Sequence, residues 1–162
     1  MLILQILEDA AFAAVAAIGF SSISNPPKKA FPICALLAAV GHSLRFVLMD
    51  VFNWNIVCAG FLASLAIGFL AVKLSRVAKC PAETFSFPSL LPMIPGMYAY
   101  RTIQATVLCL KAEEEAEYMH NMYLLTFNGL TCITVITVMV IGVTLPIFLL
   151  EKLSFKATKE QA

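Results

Sequence analysis

Charged residues divide this chain into long apolar runs. Between the acidic pair Glu8 and Asp9 and the basic pair Lys28 and Lys29, no charge interrupts residues 10–27, and further uncharged runs cover 51–72, 84–100 and 121–150. Crossing a bilayer takes ~20 mostly apolar residues, or ~17 at the short end, so each run predicts a transmembrane helix. A fifth run, 30–49, contains one cation, Arg45, and predicts a span that carries a charge. The pattern is that of an all-α, polytopic membrane bundle of about five transmembrane helices. It forms one membrane domain over 1–153 and a polar tail over 154–162.

Composition agrees with that reading: 60% of the residues are hydrophobic and 13% charged, about half the charged share usual in soluble domains. The first run is read as a retained helix rather than a cleaved signal, because acidic residues precede it where a secretory signal carries positive charge. The loops sort by sign. Lys28 and Lys29 follow the first run, Lys73, Arg76 and Lys79 the third, and Lys152, Lys156 and Lys159 the last, whereas Asp50 and the acidic 113–117 segment occupy the other connections. Cytoplasmic loops carry the Lys/Arg excess, so the N-terminus is expected outside and the C-terminus inside.

Two features depart from plain apolar helices. Pro81, Pro88, Pro92, Pro95 and Gly96 crowd the fourth segment, and a proline inside a helix removes a backbone hydrogen bond. Irregular backbone at membrane depth is tolerated where it is buried in protein or lines a wet cavity, and interrupted helices carry binding sites in secondary transporters. Pro92, Pro95 and Gly96 are therefore candidate pathway residues. The alternative is that the prolines mark an entry loop and the first turn of a short span.

The second feature is a set of polar side chains within the spans: His42, Arg45, Ser64, Arg101 and Asn128. Ionisable groups at membrane depth cost ~2.5–3.5 kcal/mol on insertion scales and usually face the bundle interior. Counted at ~1.5 Å per residue, His42, Arg45, Arg101 and Asn128 fall in one layer of the outer half of the membrane. The runs as bounded here hold no acid to balance the two arginines, and a guanidinium pairs a carboxylate bidentately, which suits a small carboxylate substrate. The competing readings are that Arg45 snorkels or pairs with Asp50, and that Arg101 pairs with Glu8 or Asp9. His42 fits either a proton relay or a hydrogen bond to a neighbouring helix, and Asn128 a contact between helices.

Gly60, Ser64 and Gly68 form small-xxx-small pairs that suit close helix packing or a homo-oligomer. The five cysteines lack metal or disulfide spacing. The net charge of +1 gives no basic footprint for nucleic acid. No Walker loop, nucleophile elbow or HExxH sequence occurs, so neither an enzyme nor an ATP-driven pump is expected, and no cofactor or metal.

The Pro92-x-x-Pro95-Gly96-x-x-Ala99-Tyr100 run, with Gly19-Phe20, Asn25-Pro26, Gly41-His42, Arg45, Phe61, Ala63, Ser64, Ser75-Arg76, Pro81 and Phe85, resembles the small-subunit, or second, domain of the threonine/serine exporter family. Arg101 and Met97-Tyr98 depart from the family pattern. The resemblance implies a two-component exporter in the bacterial inner (plasma) membrane, in which a short chain works with a larger membrane subunit. The energy would come from the proton motive force. The family is associated with threonine and serine, and its split relatives with dicarboxylates such as succinate. Tyr100 joins the candidate pathway on this ground. A non-transporting scaffold subunit is the alternative function.

Overall fold

The computed structural model of the protein describes residues 2–150; the polar tail expected over 154–162, and Lys152, Lys156 and Lys159, lie outside the described residues. Six α-helices follow one another: α1 (Leu2–Ile23), α2 (Ala30–Asp50), α3 (Ile56–Ala78), α4 (Glu83–Leu90), α5 (Gly96–Lys111) and α6 (Glu115–Leu149), with a 3₁₀ turn over Leu91–Met93. There is no strand among the described residues. Four of the helices, α1, α2, α3 and α6, are long and apolar enough to cross a membrane, and the chain is a helical membrane bundle.

The breaks follow local chemistry. After α1, Asn25 adopts a left-handed φ of 46°, which asparagine tolerates better than other side chains. Pro26 and Pro27 then prevent the helix from continuing. The run expected from residue 51 begins later, because Asn53 takes φ 53° and the Asn55 side chain accepts from Val57 N–H at 2.9 Å, capping α3. That helix ends on Lys79 in the left-handed region, two residues before Pro81. The fourth sequence segment is broken as expected, into the eight-residue α4, the 3₁₀ turn and the 16-residue α5.

The described residues divide into two compact units, 2–93 with 138–150, and 94–137. In the first, α1 and α2 run antiparallel: Cys34 Sγ meets Ser21 Oγ at 3.5 Å near the turn, and Asp9 meets His42 towards the other ends. The buried positions of α1 are Ala13, Ala17 and Ser21, spaced by four and all small, while Ile3, Phe12 and Ile23 face outward. That division suits a helix with one side on protein and the rest on lipid. α4 closes over α2, where Ser89 Oγ donates to the Cys34 carbonyl at 2.9 Å, and Phe85, Leu37, Ile67 and Met93 form the core.

Gly142 and Pro146 lie in the last span, where a proline removes a helix hydrogen bond, yet α6 runs through both. They serve packing instead. A side chain on Gly142 would strike Ser64 Oγ and lie 2.9 Å from the Phe61 carbonyl, and one on Gly68 would lie 2.6 Å from the Val143 carbonyl and 3.0 Å from Pro146. The small-residue face of α3 is thus the seat of the C-terminal part of α6. In the second unit, α5 packs on the first half of α6 with Gly129 beside Thr102. Thr126, Thr131, Thr137 and Thr144 on α6 each donate to the carbonyl four residues earlier, so their hydroxyls need no partner outside the helix.

Candidate functional site

The polar centre of the first unit is a chain of four groups drawn from three elements. Arg45 Nη1 donates to the Met93 carbonyl at 2.5 Å, and Nη2 lies 3.2 Å from His42 Nε2. The other ring nitrogen, Nδ1, lies 2.5 Å from Asp9 Oδ2. A guanidinium only donates, so Nε2 accepts and the ring proton sits on Nδ1, directed at the carboxylate. A neutral imidazole therefore joins a cation to an anion, and the assembly carries no net charge.

Each member is placed by its helix. His42 and Arg45 are one turn apart on α2, hence on the same face. Asp9 lies four residues before Ala13 and so on the same packing stripe as Ala13, Ala17 and Ser21. Its depth in α1 is ~10 Å from Leu2, and that of His42 in α2 ~12 Å from Asp50, at ~1.5 Å per residue; in an antiparallel pair these coincide. Met93 ends the 3₁₀ turn, two residues before Pro95. Gly96 N–H, which would serve the Met93 carbonyl in a continued 3₁₀ turn, bonds to the Ile94 carbonyl instead, and Arg45 donates to the Met93 carbonyl. The Pro-rich break and the intramembrane arginine are thus two halves of one arrangement.

A cleft of ≈180 Å³ opens on this chain, lined by Asp9, His42, Arg45, Phe46, Met49 and Asp50. At ~30 Å³ per water molecule it holds roughly six waters or one small metabolite. The expectation that no acid lies inside the spans is corrected here. α1 begins at Leu2, so Asp9 sits within the helix, with 27% of its side chain exposed, beside a His42 side chain 17% exposed. It also follows that Arg45 engages His42 and Met93 rather than Asp50, and Asp9 engages His42 rather than Arg101.

In the second unit a groove of ≈370 Å³ is lined by Arg101, Gln104 and Asn128 with apolar Leu108, Leu124 and Phe127. Arg101 is exposed and has no ion pair among the described residues. Asn128 is buried at the groove, its amide donating to the Leu124 carbonyl at 2.7 Å. The predicted polar layer therefore resolves into two groupings, one in each unit.

A family model described as "Threonine/Serine exporter, ThrE" matches residues 9–149, from Asp9 through every polar residue described above. The chain belongs to the threonine/serine exporter family. An uncharacterised Haemophilus influenzae protein is 42% identical over 104 residues, which is 64% of this chain and 35% of that relative. The chain spans about a third of the length of that curated relative. No solved structure matches.

The remaining residues expected at the site of this exporter-family chain fall as follows. Ser64 is fully buried, donates to the Phe61 carbonyl at 2.8 Å and faces Gly142, a packing position. Pro92 lies in the 3₁₀ turn and Pro95 immediately precedes α5. Gly96 has open space around it and no positive φ, so the break is the work of the prolines. Tyr100 is 61% exposed on α5. Asp9 and Gln104 were not among the expected site residues. The spacing of Asp9 from the small residues of α1 is the signal that finds it, and Gln104 is found by its position one turn after Arg101.

Proposed function

We propose that this chain is a membrane subunit of a secondary exporter, driven by the proton motive force, for small carboxylates or hydroxy amino acids such as threonine, serine or succinate. It works with a larger membrane subunit in the bacterial inner membrane. The observation that carries the reading is the position of Arg45, a guanidinium held at a proline-made helix break beside a small cleft, in a chain of an exporter family. Arginine can give up a backbone carbonyl or an imidazole for a substrate carboxylate, to which it bonds bidentately and more strongly. Family membership supports export, and the length of the Haemophilus relative beyond the matched third supports a larger partner.

The charge distribution supports a direction. With the Lys28–Lys29 turn and the Lys73–Lys79 end of α3 inside, the acidic segment before α6 is outside, and the segment from Glu83 to Lys111 makes the connecting crossing. The path residues proposed are Asp9, His42, Arg45 and Pro92 in the first unit, and Pro95, Gly96, Tyr100, Arg101 and Asn128 in the second.

The test is efflux of labelled serine, threonine and succinate from cells that make this chain together with its large subunit. Arg45→Ala at normal membrane abundance is expected to cut efflux at least tenfold. Equal efflux from the variant and wild type removes Arg45 from the path. Substrate analogues that cross-link to the larger subunit alone, with variants here altering abundance but never kinetics, would make this chain a scaffold.

A further inference from the structure

We propose that Asp9 is the residue at which proton and substrate exchange, and that His42 is the group that holds the incoming proton. The inference rests on the exporter reading and adds to it the coupling site. An exporter driven by an inward proton gradient needs a place where a proton and the substrate exclude one another. The Asp9–His42–Arg45 chain has that property by its hydrogen bonding.

While the imidazole is neutral, its Nε2 can accept from Arg45 at 3.2 Å and its Nδ1–H serves Asp9 at 2.5 Å. A second proton can go only to Nε2, since Nδ1 already carries one. It then removes the acceptor that Arg45 uses and sets two cations against each other. The imidazolium stays with Asp9, whose negative charge is now fully committed to it, and Arg45 is left on the Met93 carbonyl. In the alternative state a hydroxy amino acid enters the cleft with its ammonium on Asp9 and its carboxylate on Arg45, the zwitterion matching the fixed anion and cation. Proton-loaded His42 and substrate ammonium compete for one carboxylate, so binding of either expels the other.

The surroundings leave this competition to few groups. On α1 the neighbouring acid Glu8 is exposed. On α2 the cleft contains Arg45 and, at its end, Asp50. The 3₁₀ turn offers only the Met93 carbonyl. The sole charged residue of α4, Glu83, adjoins Thr84, whose carbonyl meets Cys34, two turns of α2 away from His42, and the charges of α3 begin at Lys73, after Ile67, the residue that lies against Gly41. Asp50 is the one other acid within reach, and it serves as the control position.

The experiment uses the full chain with its large subunit in proteoliposomes, measuring serine–serine exchange, which needs no gradient, across pH 5 to 8, the range in which imidazoles change charge. Wild type is expected to slow at least fivefold toward pH 5, as protons displace substrate, and to accumulate serine when a pH gradient is imposed. His42→Gln is expected to retain measurable but reduced exchange whose rate no longer depends on pH, and to lose gradient-driven accumulation. Asp9→Asn is expected to lose exchange at least tenfold, and Asp9→Glu to recover part of it; Asp50→Asn should keep the wild-type pH profile. A wild-type pH profile in His42→Gln, or wild-type exchange in Asp9→Asn, overturns the coupling assignment and leaves the exporter reading standing. If His42→Gln fails to assemble, the Asp9→Glu and Asp9→Asn pair decides alone, partial recovery against loss being required. Absence of serine, threonine and succinate movement in wild type removes the exporter reading, and the coupling site with it.

Discussion

Removing the Arg45 guanidinium is the most informative perturbation of the first unit. Arg45→Ala deletes two hydrogen bonds from a charged donor, to the Met93 carbonyl and to His42 Nε2. Bonds of that kind contribute ~1.5–3 kcal/mol each, and a buried acceptor left without a partner adds its own desolvation cost. Because the imidazole is not fully buried and can recruit water, about 3 kcal/mol in total is the reasoned loss, close to a hundredfold in the folding equilibrium. Arg45→Lys keeps the charge but reaches with a point ammonium rather than a fork, and should lose about half as much. The buried thiols Cys34, Cys80, Cys109 and Cys132 supply the assay: thermal exposure to a thiol-reactive dye in detergent, where a chain of this size should lose roughly 6–12 °C in melting temperature. In an Arg45→Ala background, Asp9→Asn should cost at least ~1 kcal/mol less than alone, since coupled neighbours are not additive. A melting temperature for Arg45→Ala within ~1 °C of wild type, or strict additivity with Asp9→Asn, would show that the four-group chain does not hold the break.

Gly142→Leu should destabilise the first unit by ~1–3 kcal/mol through overpacking against Ser64 and the Phe61 carbonyl, whereas Gly96→Ala should leave the melting temperature unchanged; the same dye assay reads both. Asn55→Ala removes the side-chain cap of α3 and should cost ~1 kcal/mol, visible as earlier exposure of the Cys58 end of the helix in hydrogen exchange. Arg101→Gln should raise the half-saturating substrate concentration ~10- to 100-fold, the loss of one charge-assisted bond of ~1.5–3 kcal/mol, without moving the melting temperature; an unchanged concentration dependence excludes the second groove from the path. In a cysteine-free background, a cysteine at position 114 should react with an impermeant reagent in intact cells and one at position 28 only after the membrane is opened; the reverse pattern inverts the proposed orientation.

The helices and their breaks were legible because the physics that makes them is local: runs free of charge, and proline and asparagine where a helix must stop. Asp9 was not legible, because a boundary drawn at the first charged residue assigns that residue to the loop. The five apolar residues Leu2, Ile3, Leu4, Ile6 and Leu7 around Gln5 make a short stretch by themselves, yet they extend α1 and carry the acid inside. The link from Arg45 to Met93 joins positions 48 apart in the chain, and nothing in the spacing of either residue names the other. Gly142 shows the converse. A glycine that bends a helix and one that admits a neighbour look identical in sequence until the neighbour is known.

The neutral Asp9–His42–Arg45 chain also bears on how the protein is made. α1 leaves the ribosome before α2 and carries Asp9 on its packing stripe, with Glu8 exposed beside it, and α2 follows with the matching cation after one short turn. Neither charge has to dwell alone in lipid if the two helices enter as a hairpin, with the acid already waiting when the guanidinium arrives. The Met93 carbonyl is synthesised some 48 residues after Arg45, so the latch on the proline break closes last. Membrane insertion and completion of the site are therefore two steps in a fixed order: the first neutralises the charges and the second locks them in place.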